Sequence, residues 1–354
     1  MKTIIFTGGG SGGHVIPSLT LIQKIQINNL YNISYIGSYS GIERKLTANF
    51  KLKYYPILSG KLRRYLSIQN FIDVFKIFLA IIQSFFILYK YNFKETVVFS
   101  TGGFVSVPVV LTAWLLRIPV IVHEQTSRLG LANKIASKFA KKIMVSFEDS
   151  LKFLPPTKTL YTGYPLRHNC FEKHIQKVVI KGITINDIKK PILFVTGGGN
   201  GSKLLNDYIK KNLIKLTKKY FVIHQVGESF IDEYSKIINQ SYLPIAFIES
   251  MIDMYKLSSL IISRAGAGTV CELLAMNKQS VFIPLKIAQK NEQFHNALEA
   301  QKKIKSIIIE EDKLFEFDLL KVEFENLNYN ENLNFHYNST QKIINEITNI
   351  IRNS

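Results

Sequence analysis

The chain has 354 residues, room for roughly two domains of about 150 residues each, and its 47% hydrophobic content excludes a disordered chain. Its net charge of +19 is uneven: 20 Lys and Arg stand against 6 Asp and Glu up to residue 165, and 25 against 20 beyond it. A first half so short of acids implies an anionic partner, whether nucleic acid, a phosphorylated substrate or an acidic membrane face.

The opening MKTIIFTGGG is an apolar run that breaks into glycines, which reads as a buried strand over 2–7 rather than a signal peptide. A helical segment over 15–29 follows, then strands at 33–37 and 53–57, and a long helix over 68–90. Residues 71–89 are apolar but interrupted by Asp73, Lys76 and Gln83 and flanked by Arg63, Arg64, Lys90 and Lys94. Each charge costs about 2.5–3.5 kcal/mol near a bilayer centre, so this segment reads as packed on a sheet or lying at a membrane interface, not as a span. Residues 96–116 lack any charge, yet Gly102, Gly103 and Pro108 break them into a strand (96–101), a glycine loop and a helix (107–116). Strands at 119–124 and 142–147 complete the first half.

The pattern breaks at Pro155–Pro156 and Gly163-Tyr164-Pro165, a boundary between domains 1–165 and 166–336. It then restarts with the same grammar: PILFVTGGGNGS (191–202) echoes KTIIFTGGGSGG (2–13). Strands are expected at 221–227, 245–249, 260–268, 280–284 and 306–310, and a terminal helix at 337–354 that packs back on the first domain. Strand–helix alternation at this spacing predicts an α/β chain of two Rossmann-like, doubly wound parallel-sheet domains facing across a cleft. Cys170 and Cys271 lie far apart with no CxxC or Cys/His spacing, which argues against a disulfide framework or a zinc site and fits a reducing cytoplasm.

Gly8-Gly9-Gly10-Ser11-Gly12-Gly13 satisfies G-x-G-x-x-G, but a dinucleotide site also wants an acid at the end of the second strand, where Gly37 and Ser38 stand and the nearest acid is Glu43. A P-loop fails too, because His14 stands where its lysine would be. What remains is glycine loops at 8–13, 102–103, 197–201 and 266–268, each set to let backbone approach a phosphate at a helix start. Four of them at corresponding strand ends favour a diphosphate ligand over tight turns alone.

Seven motifs in order, GGGSGGHVIPSL, TGGFVSVPVV, PVIVHEQTSRLGLANK, GYPLR, FIESM, SRAGAGTVCEL and QFHNA, resemble the bacterial MurG family of GT-B glycosyltransferases over residues 2 to about 310. The resemblance implies transfer of N-acetylglucosamine from UDP-GlcNAc to the undecaprenyl-diphosphate-linked MurNAc-pentapeptide of peptidoglycan, by a peripheral enzyme on the cytoplasmic membrane face. It implies donor contacts from Ser11, Gly12, Gly13, Thr126, Arg167, Gly199, Ile248, the run Ala267, Gly268, Thr269, Val270, Cys271 and Glu272, and Gln293. Glu272 suits the two ribose hydroxyls as an acceptor. The acceptor side falls to Gly102, Gly103, Asn133 and the basic Lys61, Arg63 and Arg64, with the apolar helix 71–89 as the hydrophobic half of a membrane anchor. Three positions depart from the family: Thr126 and Tyr164 replace Asn, and Gly199 replaces Ser.

Inverting transfer needs a base for the acceptor hydroxyl and charge stabilisation for departing UDP. His14, at a helix start after the first glycine loop, is the first candidate base, and Glu124, at a strand's carboxyl end, the second. There is no D-x-D to hold a divalent ion, so neither metal nor cofactor is expected, with glycine loops and helix dipoles carrying the diphosphate charge. A UDP-GlcNAc epimerase, a different lipid glycosyltransferase and an inactive membrane scaffold are the rivals. A nucleic-acid-binding role lacks any recognition motif.

Overall fold

A computed structural model describes residues 2–60, 68–322, 324 and 338–353. It divides into two units, the first running to Leu166 and taking in the C-terminal helix, the second beginning at Arg167.

The first unit carries β1 (Thr3–Thr7), α1 (Gly12–Gln26), β2 (Asn32–Ser38), α2 (Ile42–Thr47), β3 (Lys53–Ile57), α3 (Ile68–Leu88), β4 (Thr96–Ser100), α4 (Ser106–Leu115), β5 (Val120–Glu124), α5 (Leu131–Phe139), β6 (Lys142–Val145) and β7 (Thr159–Tyr161). Its strands form one parallel sheet in the order β3-β2-β1-β4-β5-β6-β7. Strands β1, β4 and β5 are buried along their whole length, as expected of a parallel sheet covered on both faces. The strand order reverses between β1 and β4, which sets the loops after Thr7 and Ser100 side by side at the carboxyl ends of the sheet.

The second unit carries the short hairpin β8 (Val179–Ile180) and β9 (Ile183–Thr184), then β10 (Ile192–Thr196), α6 (Lys203–Lys219), β11 (Phe221–Gln225), α7 (Ile231–Tyr234), β12 (Tyr242–Ile245), α8 (Met251–Leu257), β13 (Leu260–Ser263), α9 (Ala267–Ala275), β14 (Ser280–Phe282), α10 (Glu292–Gln301) and β15 (Ser306–Ile308). Its parallel sheet runs β12-β11-β10-β13-β14-β15, with the same reversal between β10 and β13. Each unit therefore places two glycine loops at the reversal point of its sheet.

Helix α11 (Ser339–Arg352) sets Ile343, Ile347, Ile350 and Ile351 into the core of the first unit, beside Val15, Ile22 and Ile25 of α1. Helix α3 packs one face, with Ala80, Ser84 and Leu88 buried, and leaves Phe75, Phe78 and Phe86 about 60% exposed on the other. Among the described residues no helix is long and apolar enough to cross a membrane.

Three expectations differ in place. The helix expected at 15–29 runs from Gly12 to Gln26, so the last two glycines of the first loop form its first turn. The strand expected at 245–249 lies at Tyr242–Ile245, because Pro244 sits on an edge strand, where the missing N–H is tolerated. The broken pattern near residue 160 contains the edge strand β7, three half-buried residues whose shortness hides them from any periodicity argument.

Candidate functional site

In the first unit the glycine loop after β1 lies against the loop after β4: the Gly9 amide donates to the Gly102 carbonyl at 3.2 Å. Gly103 has φ of +83°, and a Cβ there would collide with the Gly9 carbonyl, so this close approach demands glycine. The loop is held from beneath by Glu43, fully buried, whose carboxylate accepts from the Gly10 amide at 3.2 Å and from the Ser38 amide and hydroxyl at 2.9 and 2.5 Å. Tyr35 adds a hydroxyl donated to the Gly8 carbonyl at 2.7 Å. Glu43, on α2 just beyond the end of β2, is the acid nearest the place where a dinucleotide fold would offer a ribose carboxylate, and it is spent on the loop instead. Ser11 and Gly13 are exposed at the mouth of the loop, with Gly12 half-buried.

His14 is the third residue of α1 and half-buried. Its Nδ1 lies 3.0 Å from the Thr101 carbonyl and 3.2 Å from Gln125 Oε1. A carbonyl only accepts, so Nδ1 carries the proton and, in the neutral ring, Nε2 carries the lone pair.

Glu124 is placed differently. At 1% exposure, its Oε1 accepts from the Thr126 amide and hydroxyl, both at 2.9 Å, and its Oε2 from the Gly130 amide and Asn133 Nδ2, both at 3.1 Å. Four donors on one buried carboxylate tie the 125–130 turn to α5. Thr126 turns its hydroxyl inward to this carboxylate and to the Arg128 carbonyl, 2.5 Å away. Asn133 is buried beneath Gly102, and its Oδ1 has no hydrogen-bond partner among the described residues. Lys61, Arg63 and Arg64 lie outside the described residues.

The second unit holds a cavity of about 450 Å³ at its sheet reversal, lined by Thr196, Gly197, Gly198, Gly201 and Ser202 from the β10 loop, Ser263, Arg264, Gly266 and Thr269 from the β13 loop, and Met251, Tyr255, Leu285 and Gln293. Of the run 267–272, the side chains of Val270 and Cys271 are fully buried, and the Val270 amide is already bonded to the Gly266 carbonyl at 2.9 Å. The free N–H groups of this helix start are therefore those before Val270, at Ala267, Gly268 and Thr269. Gln293 lines the cavity and accepts from the Leu285 amide at 3.1 Å. Gly199 is exposed with open space where a side chain would stand, so nothing steric forces glycine there. Ile248 is buried in the turn between β12 and α8.

Arg167 and Glu272 pair with each other at 2.7 Å, Arg167 about a third exposed and Glu272 buried. Burial raises the Glu272 carboxyl above its ordinary range, and Arg167 pulls it back down. Sequence reasoning did not single out Arg264, which lines the cavity, donates to Ser202 Oγ at 2.9 Å and to the Ile283 carbonyl at 3.1 Å, and pairs with Glu311 at 2.7 Å. It links the two glycine loops of this unit, and its place in SRAGAG next to a strand end was the available signal. Among the described residues no cluster of three or more His, Cys, Asp or Glu could hold a metal ion.

Residues 4–145 match the glycosyltransferase family 28 N-terminal domain, and residues 192–353 the family 28 C-terminal domain. The chain is 40% identical, over 99% of its length and 98% of the relative's, to a UDP-N-acetylglucosamine–N-acetylmuramyl-(pentapeptide) pyrophosphoryl-undecaprenol N-acetylglucosamine transferase of Clostridium botulinum. It is 40% identical over 88% of both chains to a second such transferase, of Bacillus cereus. In fold it is similar to the crystal structure of Acinetobacter baumannii MurG, with a TM-score of 0.71 and 24% identity over 99% of this chain and all of that one. A Neisseria meningitidis UDP-GlcNAc 2-epimerase shares the fold at a TM-score of 0.61 but only 14% identity, over 99% of this chain and 100% of that one. Transferase and epimerase share this GT-B fold, so sequence, not architecture, separates them. The chain belongs to glycosyltransferase family 28, among its UDP-N-acetylglucosamine–N-acetylmuramyl-(pentapeptide) pyrophosphoryl-undecaprenol N-acetylglucosamine transferases.

Proposed function

We propose that this chain transfers N-acetylglucosamine from UDP-GlcNAc to undecaprenyl-diphosphate-linked MurNAc-pentapeptide with inversion, the second unit holding the donor and His14 of the first taking the acceptor proton. The observation that carries the reading is 40% identity across 99% of the chain to a relative named for this reaction. Several features of the site support the finer assignments. The cavity of the second unit offers backbone N–H groups at the start of α9, with Arg264 at its wall, where a diphosphate's charge would be stabilised as UDP departs. Such a site needs no resident metal. Glu272 and Arg167, already paired at the first turns of α9, would present a carboxylate to the ribose hydroxyls. His14 Nε2 has the lone pair a base requires, whereas the Glu124 carboxylate is engaged by four donors and holds a loop. Gly102, Gly103 and Asn133, with its unpaired buried oxygen, belong to the acceptor side.

Peripheral membrane association is part of the same proposal. The outer face of α3 exposes Val74, Phe75, Phe78 and Phe86 at 59–65%, α4 adds Trp114 and Leu115, and this half of the chain carries the surplus of lysine and arginine. Apolar side chains beside cations suit the face of an anionic bilayer. The deciding experiment supplies the purified chain with labelled UDP-GlcNAc and the lipid-linked MurNAc-pentapeptide, with and without chelator. Formation of the disaccharide lipid is expected in both. Epimerised UDP-sugar without transfer would overturn the reading.

A further inference from the structure

His14 is the end of a chain of hydrogen bonds that runs through two buried side chains of the neighbouring strand end. His123 is fully buried at the end of β5, and its Nε2 lies 3.1 Å from the Gly163 carbonyl. That carbonyl can only accept, so Nε2 bears the proton and Nδ1 bears the lone pair. Gln125, 1% exposed, places its amide nitrogen 2.7 Å from the His123 carbonyl and 3.2 Å from His123 Nδ1, two acceptors that both demand the NH₂ end. The amide is thereby oriented without ambiguity, and its Oε1 faces His14 Nδ1 at 3.2 Å. Read outward, each bond fixes the next: Gly163 sets the tautomer of His123, His123 sets the orientation of Gln125, and Gln125 joins the Thr101 carbonyl in accepting the Nδ1 proton of His14.

We infer that Gln125 is a positioning residue for the transfer reaction: anchored by His123, it holds the His14 ring with Nε2 as its proton-accepting atom and shares the charge that appears when the proton arrives. This rests on the reading of His14 as the base. In the step served, the acceptor hydroxyl's proton passes to Nε2 while its oxygen forms the new bond to the anomeric carbon. The bond from that carbon to UDP breaks, and its electron pair leaves with UDP. The Nδ1 proton stays in place, and the two oxygens facing it stabilise the imidazolium.

The ionisable groups around this chain are engaged elsewhere. Burial pushes His123 down to about 4, so it stays neutral at working pH and the relay keeps its direction. The Glu43 carboxylate is turned under the glycine loop, that of Glu124 into the 126–133 segment, and Arg128 to Asp149. Neutral donors and acceptors therefore control the state of His14 from behind.

The test uses the full chain labelled with ¹⁵N-histidine, as parent, Gln125→Met and Gln125→Glu, followed by NMR titration of His14 alongside kcat/KM against pH. In the parent, His14 is expected as the neutral Nδ1–H tautomer. Gln125→Met removes one acceptor from the imidazolium. Its His14 pKa and the acidic limb of kcat/KM should move together to lower pH, with kcat down about tenfold and the donor KM within twofold. Gln125→Glu puts a carboxylate in the same place, and both quantities should rise, by about 1–3 pH units. Opposite displacements in two variants at one site are not produced by a residue that merely packs. A His14 tautomer and pKa unchanged in Gln125→Met would overturn the inference, even if Gln125→Glu does not fold. His14→Ala, measured in parallel, reports on the base itself: activity within a few-fold of the parent overturns that reading whatever the spectra show.

Discussion

Replacing Glu124 by Gln separates two roles that one carboxylate could play. The amide keeps the shape of the side chain but replaces an acceptor by a donor at one end. Turned toward Asn133, its NH₂ would confront the Gly130 amide and Asn133 Nδ2 together. Turned toward Thr126 it confronts only the Thr126 amide, because the Thr126 hydroxyl can rotate to accept from it while donating to the Arg128 carbonyl. The second arrangement is the cheaper. It loses one charge-assisted bond, about 1.5–3 kcal/mol, and weakens the two kept at the other end, for a total of about 2–4 kcal/mol. For a unit of this size that lowers Tm by roughly 5–15 °C. Differential scanning calorimetry and steady-state transfer assays on the same preparation read both quantities. A scaffold role predicts the loss of Tm with kcat within about tenfold of the parent at a temperature where the variant is folded. A variant as stable as the parent with kcat down more than about 10³-fold would refute this reasoning and make Glu124 the base.

His14→Ala should lower kcat by roughly 10²–10⁴-fold while UDP affinity, measured by calorimetry, stays near normal, because the cavity proposed for the donor lies in the second unit. Glu272→Ala should raise the donor KM and destabilise the second unit by only about 1–2 kcal/mol, since water still reaches a third of the Arg167 side chain that loses its partner; an unchanged donor KM would remove the ribose assignment. Phe75, Phe78 and Phe86 changed together to Ser should leave Tm intact and abolish the salt-resistant fraction bound to anionic vesicles in flotation, whereas unfolding instead of release would place that face in the core.

The strand and glycine-loop grammar was legible because parallel strands buried on both faces read as short apolar runs, and the turns after β1 and β4 need glycine to pass close to one another. What could not be read was which loops meet. His14 and Gln125 are 111 residues apart, and only the order β1-β4-β5 makes their loops neighbours. Arg167 and Glu272 were each assigned to the donor, yet their mutual ion pair across 105 residues leaves no trace in local pattern. Glu43 was visible as an acid in nearly the right place for a ribose, and its actual partners, three donors in the glycine loop and at the end of β2, follow from its depth, which no composition argument supplies. The β12 strand slipped because Pro244 reads as a breaker until its strand is known to be an edge.

The return of α11 to the first unit has a consequence for biosynthesis. A ribosome that has translated residues 1–166 has made the whole parallel sheet of that unit but not the four isoleucines that close one of its two apolar faces. The second unit, contiguous in the chain, can complete its own sheet as it emerges. The first must wait with α1 partly uncovered until residue 351 has left the exit tunnel. Synthesis order and completion order are thus inverted, and the interval in which the nascent first unit needs shielding from aggregation spans the translation of the second.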